Sequence, residues 1–242
     1  LIVSSISSDN TAFTVEPTSI TVAVGASQTV TVTFSPVERG GQSGAITIVS
    51  DGSDEGTLIS VSGTGLAPEI ALSPDTVAIS DVDVGSSSTG TFEITNEGNK
   101  ELVVSGISSD NDVFTVVPAS VTLAVGESQT LTVTFSPVER GTKYGTITVE
   151  SNDIDEGTLT VSVSGTGIAP EIALSTDSVA LGNVDVSSSK AGTFEITNEG
   201  NKELVVSGIS SDNDVFTVEP ASVTLAGGES QTVTVTFNPV ER

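Results

Sequence analysis

Acidic side chains in turn-like segments are the residues of this chain with the clearest potential for chemistry. Asp153, Asp155 and Glu156 stand together in the segment Ser151–Gly157. Similar segments hold Asp51, Asp54, Glu55, Asp110 and Asp112. Calcium takes about six to eight oxygen ligands, often from carboxylates on a tight loop. The spacing differs from that of an EF-hand loop, and Asn, Asp and Gly also form good turns, so simple turn formation is the alternative interpretation.

Enzymatic chemistry is excluded by residue types. The chain has no His and no Cys, so a Ser-His-Asp triad, a thiol nucleophile and an imidazole metal site cannot be assembled. Carboxylate pairs could serve glycoside hydrolysis. Here, however, aromatic residues that would stack on a sugar make up 4% of the chain. The sequence therefore predicts no catalytic, cofactor-binding or metal-ligating residues, with calcium kept as the one open alternative.

Two further charged groups recur along the chain. Glu38 with Arg39 is repeated as Glu139 with Arg140, which indicates either a local surface ion pair or a contact to a neighbouring domain. Lys100 and Lys202 each lie in a turn-like segment between Asn and Glu, a poor setting for a lysine cross-link.

The charge balance limits the partners. With 32 acidic and 7 basic residues the formal net charge is -25, which argues against binding to nucleic acid or to anionic membranes. No apolar run is long enough to predict membrane insertion. High acidity and the absence of Cys predict an extracellular or cell-surface protein, since such a chain needs no oxidative folding.

Internal repeats organise the whole chain. The segment Thr91–Val116 recurs unchanged as Thr193–Val218, and the motif Pro-Val-Glu-Arg ends at Arg39, Arg140 and Arg242. The offset of 102 residues predicts a first repeat at 1–65, a second at 66–167 and a third at 168–242. By this alignment the first repeat lacks its opening strands and the third its last two, so we expect the natural polypeptide to continue in both directions.

Period-two alternation predicts strands throughout. In Thr130–Phe135 the side chains of Leu131, Val133 and Phe135 share one face, as Phe92 and Ile94 do in Gly90–Thr95. Short strands with regular turns predict an all-β fold of tandem immunoglobulin-like antiparallel β-sandwiches, with about seven or eight strands per repeat. The other strands are predicted at Glu69–Ser73, Thr76–Ile79, Leu102–Ile107, Val113–Val117, Val121–Val125, Thr146–Val149 and Thr158–Ser164.

The joints between repeats are predicted to be short. The second repeat ends in Ser-Gly-Thr-Gly at Gly167, and Ile168, Ala169 and Pro170 open the next repeat at once. Because Pro resists continuing a central strand and no Gly/Ser-rich spacer intervenes, neighbouring repeats should abut at a preferred angle.

An ordered set of motifs carries a family resemblance that covers essentially all of the chain. The motifs are Val82–Gly85, Phe92–Gly98, Leu102–Ile107, Val125–Pro137, Gly145–Asp153 and Val161–Gly167. They resemble the hydin/ASH-type immunoglobulin-like domains, called choice-of-anchor D modules in large bacterial surface proteins, within the PapD-like and major-sperm-protein-like group of sandwiches. The third repeat departs from the motif at Ser187, where the second has Gly85. We expect this change to alter local packing only.

The resemblance implies scaffolding in surface stalks and adhesins for bacterial members, and in cilia and centrosomes for eukaryotic ones. The sequence interpretation is a structural spacer or filament-forming segment of a long cell-surface protein, whose partners are neighbouring repeats or identical chains. An adhesive or ligand-binding module of a surface adhesin, stiffened by calcium, is one alternative. A ciliary or cytoskeletal scaffold is another.

Overall fold

The computed structural model describes residues 1–52 and 56–240, and within them the regular structure consists of strands. The first repeat contains β1 (Ile2–Ser8), β2 (Phe13–Glu16), β3 (Ile20–Thr21), β4 (Thr31–Phe34), β5 (Gly40–Ser50) and β6 (Thr57–Gly65). The second contains β7 (Ile70–Ser73), β8 (Thr76–Ala78), β9 (Val82–Asp83), β10 (Ser88–Asn96), β11 (Leu102–Ser109), β12 (Phe114–Val117), β13 (Val121–Leu123), β14 (Ser128–Phe135), β15 (Gly141–Ser151) and β16 (Thr158–Ile168). The third contains β17 (Ile172–Leu174), β18 (Lys190–Asn198), β19 (Leu204–Val206), β20 (Phe216–Glu219), β21 (Val223–Leu225) and β22 (Ser230–Phe237).

The second repeat is a two-layer sandwich. One sheet has the strand order β12-β14-β10-β7, and the other has the order β13-β11-β15-β16-β8, with β9 also paired to β16. The core between the layers is aliphatic and aromatic. Its largest fully buried members are Phe92, Phe114, Phe135, Ile94, Leu102, Leu131 and Ile147. The all-β, tandem immunoglobulin-like fold class is confirmed.

The alternation predicted for the central strands is confirmed in the second repeat. Leu131, Val133 and Phe135 of β14 are buried, while Glu93 of β10 is exposed between buried Phe92 and Ile94. The counterpart of Val133 in the first repeat, Val32, is 42% exposed. In the described residues β2 and β4 pair only with each other, so the sheet that surrounds Val133 is missing around Val32.

Strand ends differ from the prediction most at the final hairpin. β15 begins at Gly141 rather than Thr146, and β16 runs to Ile168 rather than Ser164. Its last residues pair in parallel with β9, a two-residue strand that alternation could not reveal. This parallel pairing places the loop around Asp83 beside the exit into the third repeat.

The turn that contains Gly85 in the second repeat is kept in the third repeat, although Ser187 replaces the glycine there. Ser187 has φ 68° and is the one non-glycine residue with positive φ in the described chain, while Gly85 has φ 84° at the equivalent position. The left-handed conformation costs a residue with a Cβ about 1–2 kcal/mol, which Gly avoids. The third repeat therefore tolerates some backbone strain here. No helix in the described residues is both long and apolar enough to cross a membrane.

Candidate functional site

The turn that follows β10, Asn96–Lys100, is held in one shape by a buried amide. Asn96 donates from Nδ2 to the carbonyl oxygens of Lys100 at 2.9 Å, Leu123 at 3.1 Å and Ala124 at 3.2 Å. Its Oδ1 accepts the N–H of Gly98 at 3.0 Å. Asn198 makes the corresponding contacts in the third repeat, at 2.7 Å to Lys202 and 3.0 Å to Leu225. Since these buried groups have no water to bond, the amide fixes the turn.

The same turn lies against the segment that leads into its own repeat. A Cβ on Gly98 would stand 2.6 Å from the oxygen of Ala67 and 2.6 Å from the nitrogen of Glu69. At Gly200 the corresponding atom would be 2.3 Å from the oxygen of Ala169. Real Cβ atoms do not approach backbone so closely, so only Gly allows the turn to seat on the incoming chain.

Asn99 then fastens the joint between the first two repeats. Its Nδ2 donates to the carbonyl of Gly65, the last residue of β6, at 2.9 Å, and its Oδ1 accepts the N–H of Ala67 at 3.0 Å. One amide thus bridges the residues on either side of Leu66. Asn201 repeats the arrangement around Ile168, with distances of 2.8 Å to Gly167 and 2.9 Å to Ala169. We call this arrangement the asparagine clasp.

An arginine reaches across each joint beside the clasp. Arg39 of the first repeat donates to the carbonyl of Glu97 at 2.6 Å and lies 3.3 Å from the carboxylate of Glu69. Arg140 lies 3.0 Å from Glu171 in the same way. The neighbour-contact interpretation of the recurrent arginines is therefore the one the structure supports. Glu139 instead lies 3.3 Å from Lys143 within its own repeat.

The second joint carries an additional ion pair of opposite polarity. Lys202, in the turn of the third repeat, pairs with Asp83 of β9. Here the second repeat supplies the anion, whereas in the Arg140–Glu171 pair it supplies the cation. Exposed pairs are individually worth about 0–1 kcal/mol, so their contribution is mainly to orientation. Lys202 is therefore engaged in a contact between the two repeats.

The acidic segment singled out from the sequence also lies at a joint. Asp153 and Asp155 have carboxylate oxygens within 4.8 Å of each other and of Glu69, whereas Glu156 is outside this group. Glu69 in turn is the partner of Arg39. Asp153 accepts the N–H of Ile70 at 2.8 Å and that of Asp155 at 3.3 Å. Backbone N–H groups engage the carboxylate of Asp153 and Arg39 engages that of Glu69, so we interpret these two acidic residues as part of the joint.

The pKa of Asp153 reflects this position. Burial by itself raises the pKa, but hydrogen bonds to the carboxylate from the backbone of Ile70 and from the Asp155–Glu156 turn outweigh it and hold the pKa below its ordinary value. The charged form is therefore the one that the folded state prefers.

Asp153→Asn should lower the free energy of unfolding of the second repeat by about 2 kcal/mol at neutral pH, because Asn is neutral and replaces one of the two oxygens that accept the N–H groups of Ile70 and Asp155 with an NH2 group that cannot accept. A depressed pKa adds stability above the unfolded pKa, and this stability disappears as pH falls through the folded value. The difference between parent and variant should thus shrink below about pH 4. Urea unfolding across that range measures it. Asp112→Asn, in an exposed turn, is the charge-matched control, and a pH-independent difference would contradict the assignment.

The remaining acidic residues singled out from the sequence are scattered. Asp51 accepts the N–H of Ile2 at 2.8 Å, and Asp110 accepts that of Thr146 at 2.7 Å, so both act as turn and strand-end acceptors. Asp112 is exposed in its turn. Asp54 and Glu55 lie outside the described residues. Sequence reasoning did not single out the four asparagines of the joints, Asn96, Asn99, Asn198 and Asn201, although the unchanged recurrence of their turn was a signal. It also missed the acidic partners Glu69, Glu171 and Asp83, for which no local pattern gave a signal.

The chain matches two family models. Residues 68–166 and 170–242 match the HYDIN/CFA65/VesB-like, Ig-like domain. Residues 1–57 match the model described as abnormal spindle-like microcephaly-associated, ASPM-SPD-2-Hydin.

Similar proteins with curated names come from a flagellate alga. Cilia- and flagella-associated protein 74 of Chlamydomonas reinhardtii is 33% identical over 65% of this chain and 9% of its own length. Cilia- and flagella-associated protein 65 of the same organism is 28% identical over 54% of this chain and 6% of its own length. Among solved structures, the ASH/PapD-like domain of human CEP192 is 20% identical, with a TM-score of 0.39, over 43% of this chain and 89% of that domain.

These relatives correct the expected location and role. The expectation of an extracellular or cell-surface spacer or filament, and with it the adhesin alternative, is wrong, because the curated relatives are cilia- and flagella-associated proteins. The bacterial surface branch of the resemblance is likewise not supported. Acidity and the absence of Cys keep a chain soluble and free of disulfides in any compartment, so they could not decide between a cell surface and a cilium.

Proposed function

Because the chain belongs to the family of HYDIN/CFA65/VesB-like Ig-like domains, we propose that it is an architectural segment of a cilium- or flagellum-associated protein. Its repeats are held at defined angles by their joints. The proposal includes the division into repeats 1–65, 66–167 and 168–242.

The repeated joint is the observation that carries this proposal. The asparagine clasp closes around Leu66 and again around Ile168, with donor–acceptor distances that agree within 0.1 Å between the two joints. An arginine and a glutamate accompany it each time. A single side chain that is hydrogen-bonded to the residues before and after one position restricts the backbone at that position, since a bend there strains or breaks at least one of the two bonds. Because the same joint recurs, the angle between successive repeats is defined each time, as an architectural segment requires.

The proposed role needs no catalysis. We infer that the chain is not an enzyme, since it has neither His nor Cys, and Asp153 and Glu69 of its carboxylate cluster are engaged at the joint. The proposed partners are neighbouring repeats and other protein chains, and the net charge of -25 disfavours nucleic acid. The chain spans less than a tenth of the curated relatives it matches, so it accounts for a small segment of such an assembly.

A segment exchange tests the proposal in a cell. The matching stretch of Cilia- and flagella-associated protein 74 in Chlamydomonas reinhardtii would be replaced by this chain, with a deletion of the same stretch as reference. We expect the chimaera to be retained in detergent-extracted flagella. A second chimaera with Asn99→Ala and Asn201→Ala should be retained less well, because the joints are loosened. If the first chimaera behaves like the deletion, the proposed function is wrong.

A further inference from the structure

The chain enters and leaves the second repeat along strands that run in the same direction. It enters beside Leu66 at the first joint and continues through β7, β8 and β9. It leaves along β16, which follows the acidic turn at the first joint and ends at Ile168 in the second joint. β8 and β9 both pair with β16 in parallel. The entering and leaving segments therefore lie side by side, and each is attached to a different joint.

The line along which β8 and β9 meet β16 is here called the parallel seam. Its inward side chains on β8 and β9 are buried in the core of the second repeat. Backbone N–H groups donate across it from Ser162 to Asp75 at 2.9 Å, from Ile79 to Ser164 at 2.8 Å and from Val84 to Ile168 at 3.0 Å. The two segments are thus joined along the seam and not at a single point.

Tension along the chain would load the parallel seam in shear. A pull at the first joint draws β7, β8 and β9 toward that joint, while a pull at the second joint draws β16 the opposite way. Because the paired strands are parallel, they separate under this pull only by sliding, so the evenly spaced bonds share the force. β7 is held similarly, since its pairing with β10 from Ile70 to Ser73 must slide before β7 is released.

We propose that the second repeat is a mechanical unit, in which the parallel seam resists tension that arrives through the joints. The second joint suits this task, because Asn201 bonds Gly167 and Ala169 and leaves little slack chain after β16. Resistance to a pull is set by the rate of forced unfolding rather than by the free energy of unfolding. Every strand of the seam lies within the second repeat, and the inference does not depend on the proposed ciliary role.

Pulling the second repeat in two directions by single-molecule force spectroscopy tests the inference. The chain has no native Cys, so handles attach only at introduced cysteines. The exposed pair Leu66→Cys and Pro170→Cys pulls through both joints and loads the seam in shear. The exposed pair Asp75→Cys and Thr160→Cys lies at one end of the seam and peels β8 from β16. The unfolding force should be about two- to threefold lower in peeling, because the bonds then break in turn.

Proline variants test the seam itself with the handles in the shear positions. Ile79→Pro removes the N–H that bonds Ser164, and it should lower the unfolding force by about a third relative to Ile79→Ala, which keeps that N–H. Ala78→Pro is the control, since the N–H of Ala78 points away from β16. Val84→Pro, at a half-buried position, removes the bond to Ile168 and gives a second measurement if Ile79→Pro does not fold.

The two measurements contradict the inference in different ways. Equal unfolding forces in the shear and peeling directions would show that the seam does not resist tension. Forces that fall with the free energy of unfolding alone, so that Ile79→Pro and Ile79→Ala differ no more in force than their stabilities require, would also overturn it. A higher force in shear, lowered by Ile79→Pro or Val84→Pro and not by Ala78→Pro, is the expected result.

Discussion

Asn96→Ala should lower the free energy of unfolding of the second repeat by about 3–5 kcal/mol, because it leaves several buried backbone groups without a partner. The side chain is fully buried and bonds three carbonyls and one N–H. Native-state hydrogen exchange of the backbone amides of β14 and β15 measures the effect, since it reports the free energy of opening of the second repeat alone.

Asn99→Ala, three positions along the same turn, is the control for that measurement. Asn99 bonds Gly65 and Ala67 at the joint and contributes nothing to the interior of the turn. We expect its loss to cost the second repeat about 1 kcal/mol. Equal shifts from both variants would show that Asn96 is not the residue that holds the turn.

Much of the fold is readable from the sequence because strand burial repeats every second residue. The pattern of Leu131, Val133 and Phe135 specifies a half-buried strand, and that is what β14 is. β9 escapes such reasoning, since two residues cannot show a period. Its existence depends on the backbone of Gly167 and Ile168, which lie far away in sequence. The early start of β15 has the same cause, as Gly141 is a strand residue through its pairing with Gly167.

The joint was predicted only in outline. The absence of a spacer indicated that neighbouring repeats abut, and the recurrent arginine left open a contact to the neighbour. The clasp could not be predicted, because Asn99 in a turn satisfies local turn chemistry whether or not it also bonds Gly65. Likewise the pairing of Arg39 with Glu69 needs the orientation of two repeats, which no local pattern contains.

Asn201→Ala should release the orientation of the third repeat relative to the second. Spin labels at Thr130→Cys and Thr232→Cys, exposed positions equivalent in the two repeats, report the distance between them. The chain has no native Cys, so labelling is confined to these sites. A clasped joint predicts a narrow distance distribution by double electron–electron resonance. Loss of the bonds to Gly167 and Ala169 should broaden it measurably, because the joint is then held only by the backbone pairing of Ile168 with β9 and by exposed ion pairs of about 0–1 kcal/mol each.

The salt dependence of the distance distribution shows whether the clasp or the ion pairs hold the third repeat in its orientation. The amide is neutral, so high ionic strength should leave the parent distribution narrow while it screens Arg140–Glu171 and Lys202–Asp83. In the Asn201→Ala variant the same salt should broaden the distribution further, since the ion pairs then carry a larger share of the restraint beside the pairing of Ile168 with β9. Asn213→Ala changes an asparagine in a different turn of the third repeat and should alter neither result. If high salt broadened the distance distribution of the parent chain as much as Asn201→Ala broadens it at low salt, the ion pairs rather than the clasp would hold the orientation of the third repeat.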